Sequence, residues 1–216
     1  MHKGLIAMLA FAGGLAAAGP AWAQGAYQPR VSFEMEGVRY GIAAPKGYCR
    51  ATGAKEAEFQ RFNSLSDFPL LIALIPCDPN RDPTDYILIK HAPNDKRDRK
   101  ALLAQFAADF PTYDADETNK SIAENVGGAL DRLVGEKVDM TFDIRPLGVD
   151  DVCAYMAGNS RFDVGGRTVV MSMVVCATAI DLNPMMIQRY LPAAARERVL
   201  ALPGEVRAMA LSLKQE

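Results

Sequence analysis

Residues 138–180 read VDMTFDIRPLGVDDVCAYMAGNSRFDVGGRTVVMSMVVCATAI, and this stretch decides the fold. Apolar and polar side chains alternate over 138–145, which predicts a strand with one wet face. Two further segments, 149–157 and 168–180, are largely apolar and flank a glycine-containing turn at 164–166. We therefore expect two buried strands joined as a hairpin beside the half-exposed strand, as in an antiparallel sheet.

The rest of the chain supplies strands and helices in groups. Further strands are predicted over 31–36, 38–44, 70–75, 86–90 and 185–190, and helices over 52–65, 95–110, 116–134 and the C-terminal tail. The tail is expected to break at Pro203-Gly204, and Gly127-Gly128 is expected to mark close packing or a kink. Because the strands do not alternate one by one with helices, the sequence predicts an α+β fold, a mostly antiparallel sheet packed by helices.

The first 23 residues have the pattern of an export signal. A basic start precedes an apolar stretch over 5–18, and an Ala-Trp-Ala box ends at Ala23. Signal peptidase reads small residues at these positions, so we expect cleavage between Ala23 and Gln24. The alternative is a retained anchor, which the short apolar stretch disfavours, since a span needs about 20 residues. We expect residues 24–216 to form a single periplasmic or secreted domain without a membrane span.

Four cysteines lie in the predicted mature chain, at positions 49, 77, 153 and 176. An even number of cysteines in an exported chain favours disulfides. The absence of a C-x-x-C motif argues against a thioredoxin-like redox pair and a zinc ribbon. Four cysteines allow three connectivities, and short separation favours Cys49–Cys77 and Cys153–Cys176. In the expected hairpin, Cys153 and Cys176 are directly opposed or one diagonal step apart, which suits a cross-strand disulfide.

Most catalytic and binding chemistries have no motif in this chain. The net charge of −2 supplies no positive field for nucleic acid. The sequence has no glycine-rich phosphate loop, no serine-nucleophile elbow and no metal-ligand spacing, so we expect no cofactor and no metal. His91 is the only histidine after the leader, and any histidine-dependent mechanism must use it. Its place before Pro93 is typical of a surface histidine at a strand end.

The candidate polar site consists of His91, Lys96 and Arg97. These residues belong to a basic segment over 90–100 in which acidic residues are interleaved. The segment predicts either an exposed helix start or a site for an anionic partner. Two pairs of carboxylates, Asp139 with Asp143 and Asp150 with Asp151, are expected to be solvated, and no catalytic residue is assigned. The first pair lies about 13 Å apart along its strand, and the second points to opposite faces.

The order of elements resembles the PsbP-like α/β sandwich of secreted proteins. The resemblance covers most of 31–213 and rests on a hairpin leading into A-P-K-G-Y-C at 44–49, mid-chain helices, a long antiparallel meander and a final helix. Members of this group are chiefly accessory or binding proteins. The resemblance therefore implies a similar role here and carries no catalytic residue onto this chain.

We predict an exported periplasmic protein that acts as a non-catalytic binding or envelope accessory protein. Its partner is an unidentified protein or small molecule. The alternative is a small periplasmic, hydrolase-like enzyme using His91 or a carboxylate group, and a third hypothesis is an inhibitor or assembly factor of an envelope complex. A deep pocket holding His91 with a carboxylate in hydrogen-bond reach would favour the enzyme, and an unbroken surface there would favour the binding protein.

Overall fold

The structure, a computed structural model, describes residues 27–193 and 196–216, so the predicted leader and its cleavage site at Ala23 and Gln24 lie outside the described residues. The strands are β1 (Arg30–Met35), β2 (Val38–Ala43), β3 (Tyr48–Arg50), β4 (Leu70–Pro76), β5 (Tyr86–His91), β6 (Val138–Val149), β7 (Ala154–Val164), β8 (Arg167–Ile180), β9 (Asn183–Pro192) and β10 (Lys214–Gln215). The helices are α1 (Gly53–Asn63), α2 (Arg99–Asp109), α3 (Ala115–Val134) and α4 (Arg196–Ser212), and a 3-10 turn, Phe110–Thr112, follows α2.

A seven-stranded sheet in the order β3-β4-β5-β9-β8-β7-β6 forms the centre, and each neighbouring pair is antiparallel. One face packs on helices α1, α2 and α3, and the other packs on α4 and a small sheet in the order β1-β2-β10. Side chains alternate between the two faces along each strand, so one sheet supplies both cores. The prediction of an α+β fold with a mostly antiparallel sheet is confirmed.

Both disulfides favoured by short separation are present. Cys49 and Cys77 have Cα atoms 5.1 Å apart, and Cys153 and Cys176 have Cα atoms 5.2 Å apart. In the β7–β8 register Cys176 is opposite Tyr155, so Cys153 lies one diagonal step away, as predicted. All four sulfurs are therefore paired, and each disulfide closes a local loop.

Removing the second disulfide should cost stability. We expect Cys153→Ala/Cys176→Ala to lower the free energy of unfolding by about 3 kcal/mol, because the cross-link restricts the unfolded chain. The separation of the two cysteines is 23 residues, against 28 for Cys49 and Cys77. Urea denaturation measures the loss, and Cys49→Ala/Cys77→Ala is the matched comparison, with a similar loss expected. A loss below about 1 kcal/mol would contradict this reading.

The loop between β6 and β7 corrects the predicted strand over 149–157. Asp150 accepts hydrogen bonds from the backbone N–H groups of Val152 and Cys153, each at 2.7 Å. An aspartate that bonds the backbone two and three residues ahead stabilises a turn rather than a strand. The strand therefore starts at Ala154, and the loop presents Cys153 to its disulfide partner.

Helix α4 corrects the predicted break at Pro203-Gly204. The helix continues through Pro203 to Ser212, although an interior proline costs a backbone hydrogen bond. Leu202, Val206 and Met209 are buried in the core shared with the small sheet. Burial of this apolar stripe holds the helix together where helix propensity alone would end it.

The structure does not require glycine for close packing at the positions predicted in α3. A Cβ at Gly127 or Gly128 would meet no atom within 4 Å, so the prediction of close packing is wrong, and α3 continues through both positions. Close approach of two backbones does require glycine at position 158 in β7. A Cβ there would lie 1.8 Å from the carbonyl oxygen of Asp143 on β6.

Helix α3 covers the edge strand β6. The Asn119 side chain donates to the carbonyl of Ile144 at 3.2 Å and accepts from its N–H at 3.4 Å, as a neighbouring strand would. At the other end of the helix, Asp131 accepts from the N–H of Val138 at 2.7 Å. An edge protected in this way is less able to pair with another chain.

Candidate polar site at the end of strand β5

His91 is the last residue of β5 and lies opposite Met185 of β9. Its side chain is only 6% exposed, so the prediction of a surface histidine is wrong. The physical reason is that the β1–β2 hairpin of the small sheet folds over this end of the strand. The hairpin turn brings the Glu36 carboxylate to 3.9 Å from His91 Nε2, a separation beyond a hydrogen bond.

Glu36 occupies an unusual backbone conformation. Met35 pairs with Val38, so Glu36 and Gly37 form a two-residue turn with φ of 53° and 76°. Such a turn requires positive φ at both residues and normally contains asparagine or glycine. Glutamate here costs backbone strain, and the turn places its carboxylate over the end of β5.

Lys96 links three parts of the fold at this point. Its ammonium donates to the Glu36 carboxylate of the hairpin turn, and to Asn183 Oδ1 at the start of β9, at 2.8 Å. Asn183 is buried, whereas the Lys96 side chain is 48% exposed. The lysine predicted as a site residue therefore does join His91, through Glu36.

The turn between β8 and β9 adds a second acidic residue with positive φ. Asp181 has φ of 54°, and its carboxylate accepts a hydrogen bond from the Tyr40 hydroxyl at 3.0 Å. Glu36 and Asp181 are the two residues other than glycine with positive φ in the part of the chain that the structure describes. Strained turns of this kind concentrate at functional sites.

Arg97 is not part of the polar cluster formed by Glu36, His91, Lys96 and Asn183. Its guanidinium binds the carboxylate of Asp95, with Nε 2.6 Å from Oδ1. Arg99 donates to the carbonyl of Ala179 at 3.2 Å. The basic segment is thus largely satisfied within the fold, which favours the exposed helix start over a site for an anionic partner.

Electrostatics define the charge states in the cluster. The hydrogen bond from Lys96 holds the pKa of Glu36 below its ordinary value, so Glu36 is a carboxylate at neutral pH. Burial lowers the pKa of His91, although the nearby Glu36 opposes this effect. At neutral pH the imidazole is therefore uncharged, and one of its nitrogens carries a lone pair.

The two candidate carboxylate pairs differ in their positions and in the cations that they bind. Asp139 and Asp143 lie on the exposed side of β6, each in an ion pair with a neighbouring cation. Asp150 and Asp151 lie in the β6–β7 loop, and both bind Arg207 of α4, at 3.0 Å and 2.9 Å. The expectation that they point to opposite faces of a strand is therefore wrong.

No sequence pattern predicts the buried ionic cluster around Asp85 and Arg189. Asp85, just before β5, accepts from Arg189 of β9 at 2.6 Å and from the Tyr48 hydroxyl at 2.5 Å. Arg81 binds the other oxygen of Asp85 at 2.5 Å, and Glu205 of α4 binds Arg189 at 3.0 Å. The Asp85 and Arg189 side chains are at most 4% exposed, so this cluster is a structural element of the core.

Lys90 is a second buried charge that strand patterning could not reveal. It precedes His91 but points to the opposite face, with Tyr86 and Leu88, toward the helices. The residue is fully buried, and burial lowers the pKa of Lys90 to about 7.

Across residues 27–193 and 196–216 there is no group of three or more histidine, cysteine, aspartate or glutamate side chains arranged to hold a metal ion. Within the same residues, no helix combines the length and the apolar character that a membrane crossing requires.

A seven-stranded antiparallel sheet between a layer of helices and a layer formed by a small sheet and a helix is an α/β sandwich. Among solved structures, the chain is similar to the solution structure of cyanobacterial PsbP (CyanoP) from Synechocystis sp. PCC 6803. The TM-score is 0.43 and the sequence identity 8%, over 92% of this chain and 99% of that chain. The order of elements in the sequence predicted a resemblance to this same group. Neither a protein-family model nor a curated protein matches the chain.

Proposed function

We propose that the chain is an exported accessory protein of the periplasm that acts by binding an envelope component. Two features support export. Residues 1–23 have the pattern of an export signal, with small residues before the predicted cleavage point at Ala23. All four cysteines are joined in disulfides, bonds that persist in oxidising compartments and are rare in the cytosol.

The observation that carries a binding role rather than catalysis is the burial of His91. General-base or nucleophilic chemistry needs an imidazole that a substrate can reach, with an orienting partner in hydrogen-bond distance. The His91 side chain is 6% exposed, and the Glu36 carboxylate lies 3.9 Å from Nε2. This arrangement supports a binding protein over a hydrolase-like enzyme that uses His91.

Export is tested by expressing the full chain from its own leader in a Gram-negative host. Spheroplast fractionation should recover the protein in the periplasm, and intact mass should show an N-terminus at Gln24 with four hydrogens missing. Ala23→Asp should block processing because the peptidase requires a small residue, whereas Gln24→Ala should be processed normally. A cytoplasmic, unprocessed chain with four thiols overturns export.

The binding role is tested by crosslinking in intact cells of the source organism. The exported chain should be recovered in a covalent complex with one envelope component, and a co-exported protein of similar size is the control. A chain that is recovered only in free form, while correctly exported and oxidised, contradicts the binding role and leaves export standing.

A further inference from the structure

The Lys96 ammonium occupies the position of a cation among ligand atoms. The Glu36 carboxylate and Asn183 Oδ1 both accept hydrogen bonds from it. His91 Nε2 lies 3.9 Å from the same Glu36 oxygen that binds the ammonium. The carboxylate and the amide oxygen therefore bind one positive charge, and the imidazole nitrogen lies beside the carboxylate.

The second observation concerns His91 itself. Nε2 is buried and has no hydrogen-bond partner among the residues that the structure describes. The side chain is 94% buried, from its exposed fraction of 6%, and Nε2 is the atom that faces Glu36. A buried polar atom without a partner costs roughly 1–3 kcal/mol, and such atoms are rare in folded proteins.

We propose that Glu36, His91 and Asn183 form a binding site for a divalent transition-metal ion, with the Lys96 side chain in the cation position until the metal enters. An ion bonded to a histidine nitrogen and a carboxylate oxygen at about 2.1 Å spans at most about 4.2 Å between them. The observed 3.9 Å separation admits one such ion. The Lys96 side chain is 48% exposed, so it can move into solvent as the metal enters.

The donor set selects the class of metal. Imidazole suits Zn²⁺, Ni²⁺ and Cu²⁺, and the general order of stability makes Cu²⁺ the tightest of these. Mg²⁺ and Ca²⁺ prefer sites made only of oxygen and should bind far more weakly. The three ligands come from the β1–β2 turn, the end of β5 and the start of β9. A bound ion would therefore join the small sheet to the central sheet, a role independent of the proposed function.

The direct test is the imidazole nitrogen spectrum of the full chain carrying His2→Gln, in which His91 is the only histidine. Addition of ZnCl₂ alone should shift the His91 Nε2 resonance, and MgCl₂ at the same concentration should leave it unchanged. An unchanged Nε2 resonance under Zn²⁺, or Zn²⁺ binding at other groups only, overturns the site.

Variants separate metal binding from folding. Lys96→Met removes the competing ammonium and should raise Zn²⁺ affinity roughly tenfold, while the exposed Lys100→Met is the matched control with no change expected. Glu36→Gln removes a charged ligand at an exposed turn and should lower Zn²⁺ affinity about 10–100-fold. Equal affinities for the Lys96 and Lys100 variants, in calorimetric titrations of folded protein, contradict the assigned position of the ion.

Discussion

Replacing Asp85 by alanine is expected to lower the free energy of unfolding by about 3–5 kcal/mol. The Arg189 guanidinium is 3% exposed and binds Asp85 at 2.6 Å, so the variant leaves a buried cation without its most buried anionic partner. The Tyr48 hydroxyl loses its acceptor in the same step. Urea denaturation followed by circular dichroism measures the loss.

The matched control is Glu205→Ala, because Glu205 binds the same guanidinium from the rim of the cluster. Its side chain is 32% exposed, so solvent can replace it, and we expect a loss of about 1 kcal/mol at most. The double variant Asp85→Leu/Arg189→Met, which removes both buried charges, should recover much of the lost stability. Equal losses for Asp85→Ala and Glu205→Ala would contradict the assignment of Asp85 as the principal partner.

Stability of the wild-type protein is expected to rise from pH 7 to pH 9 through Lys90. The unfolded chain holds the proton of this lysine up to its ordinary pKa of 10.5, whereas burial lowers the pKa to about 7 in the folded protein. Between these values the unfolded state binds more protons, so raising the pH favours folding. Two pH units correspond to about 2–3 kcal/mol.

Lys90→Met tests this expectation, because methionine has a similar length and no charge. The variant should be more stable than wild type at pH 7, and the difference should shrink as the pH rises to 9. The exposed Lys46→Met is the control and should follow the wild-type profile. Parallel profiles of wild type and Lys90→Met in chemical denaturation from pH 6 to pH 9 would show that Lys90 does not titrate in this range.

The meander over 138–180 could be read from sequence because its signals are local. Alternation along β6, the glycine turn after β7 and the spacing of Cys153 and Cys176 each depend on neighbours in sequence or on one hairpin register. The strand predicted from local pattern was wrong at residues 150–153, where the Asp150 side chain stabilises a turn. The predicted helix break at Pro203 was also wrong, because burial of the helix outweighs the lost hydrogen bond.

The contacts of the candidate site could not be predicted from local sequence patterns. His91 and Lys96 were predicted as site residues because they lie in the basic segment over 90–100. Their contacts come instead from Glu36 and Asn183, which are 55 and 92 positions from His91 in sequence. Arg97, which sequence grouped with them, binds Asp95 instead. No pattern in the chain marks Glu36, although a glutamate before Gly37 in a tight hairpin turn is unusual enough to draw notice.

The sequence by itself determined the α+β class and the antiparallel meander, and it favoured the cysteine pairing that the structure shows. These properties follow from periodicity, turn residues and short loop closure, which act between residues near one another in the chain. Only the tertiary structure decided which polar groups are buried and what they meet. Burial of His91, Lys90 and the Asp85–Arg189 pair depends on the small sheet, the helices and β9 closing over them. Burying a polar or charged group costs free energy unless the group is paired. The contacts that form the site come from segments that are distant in sequence.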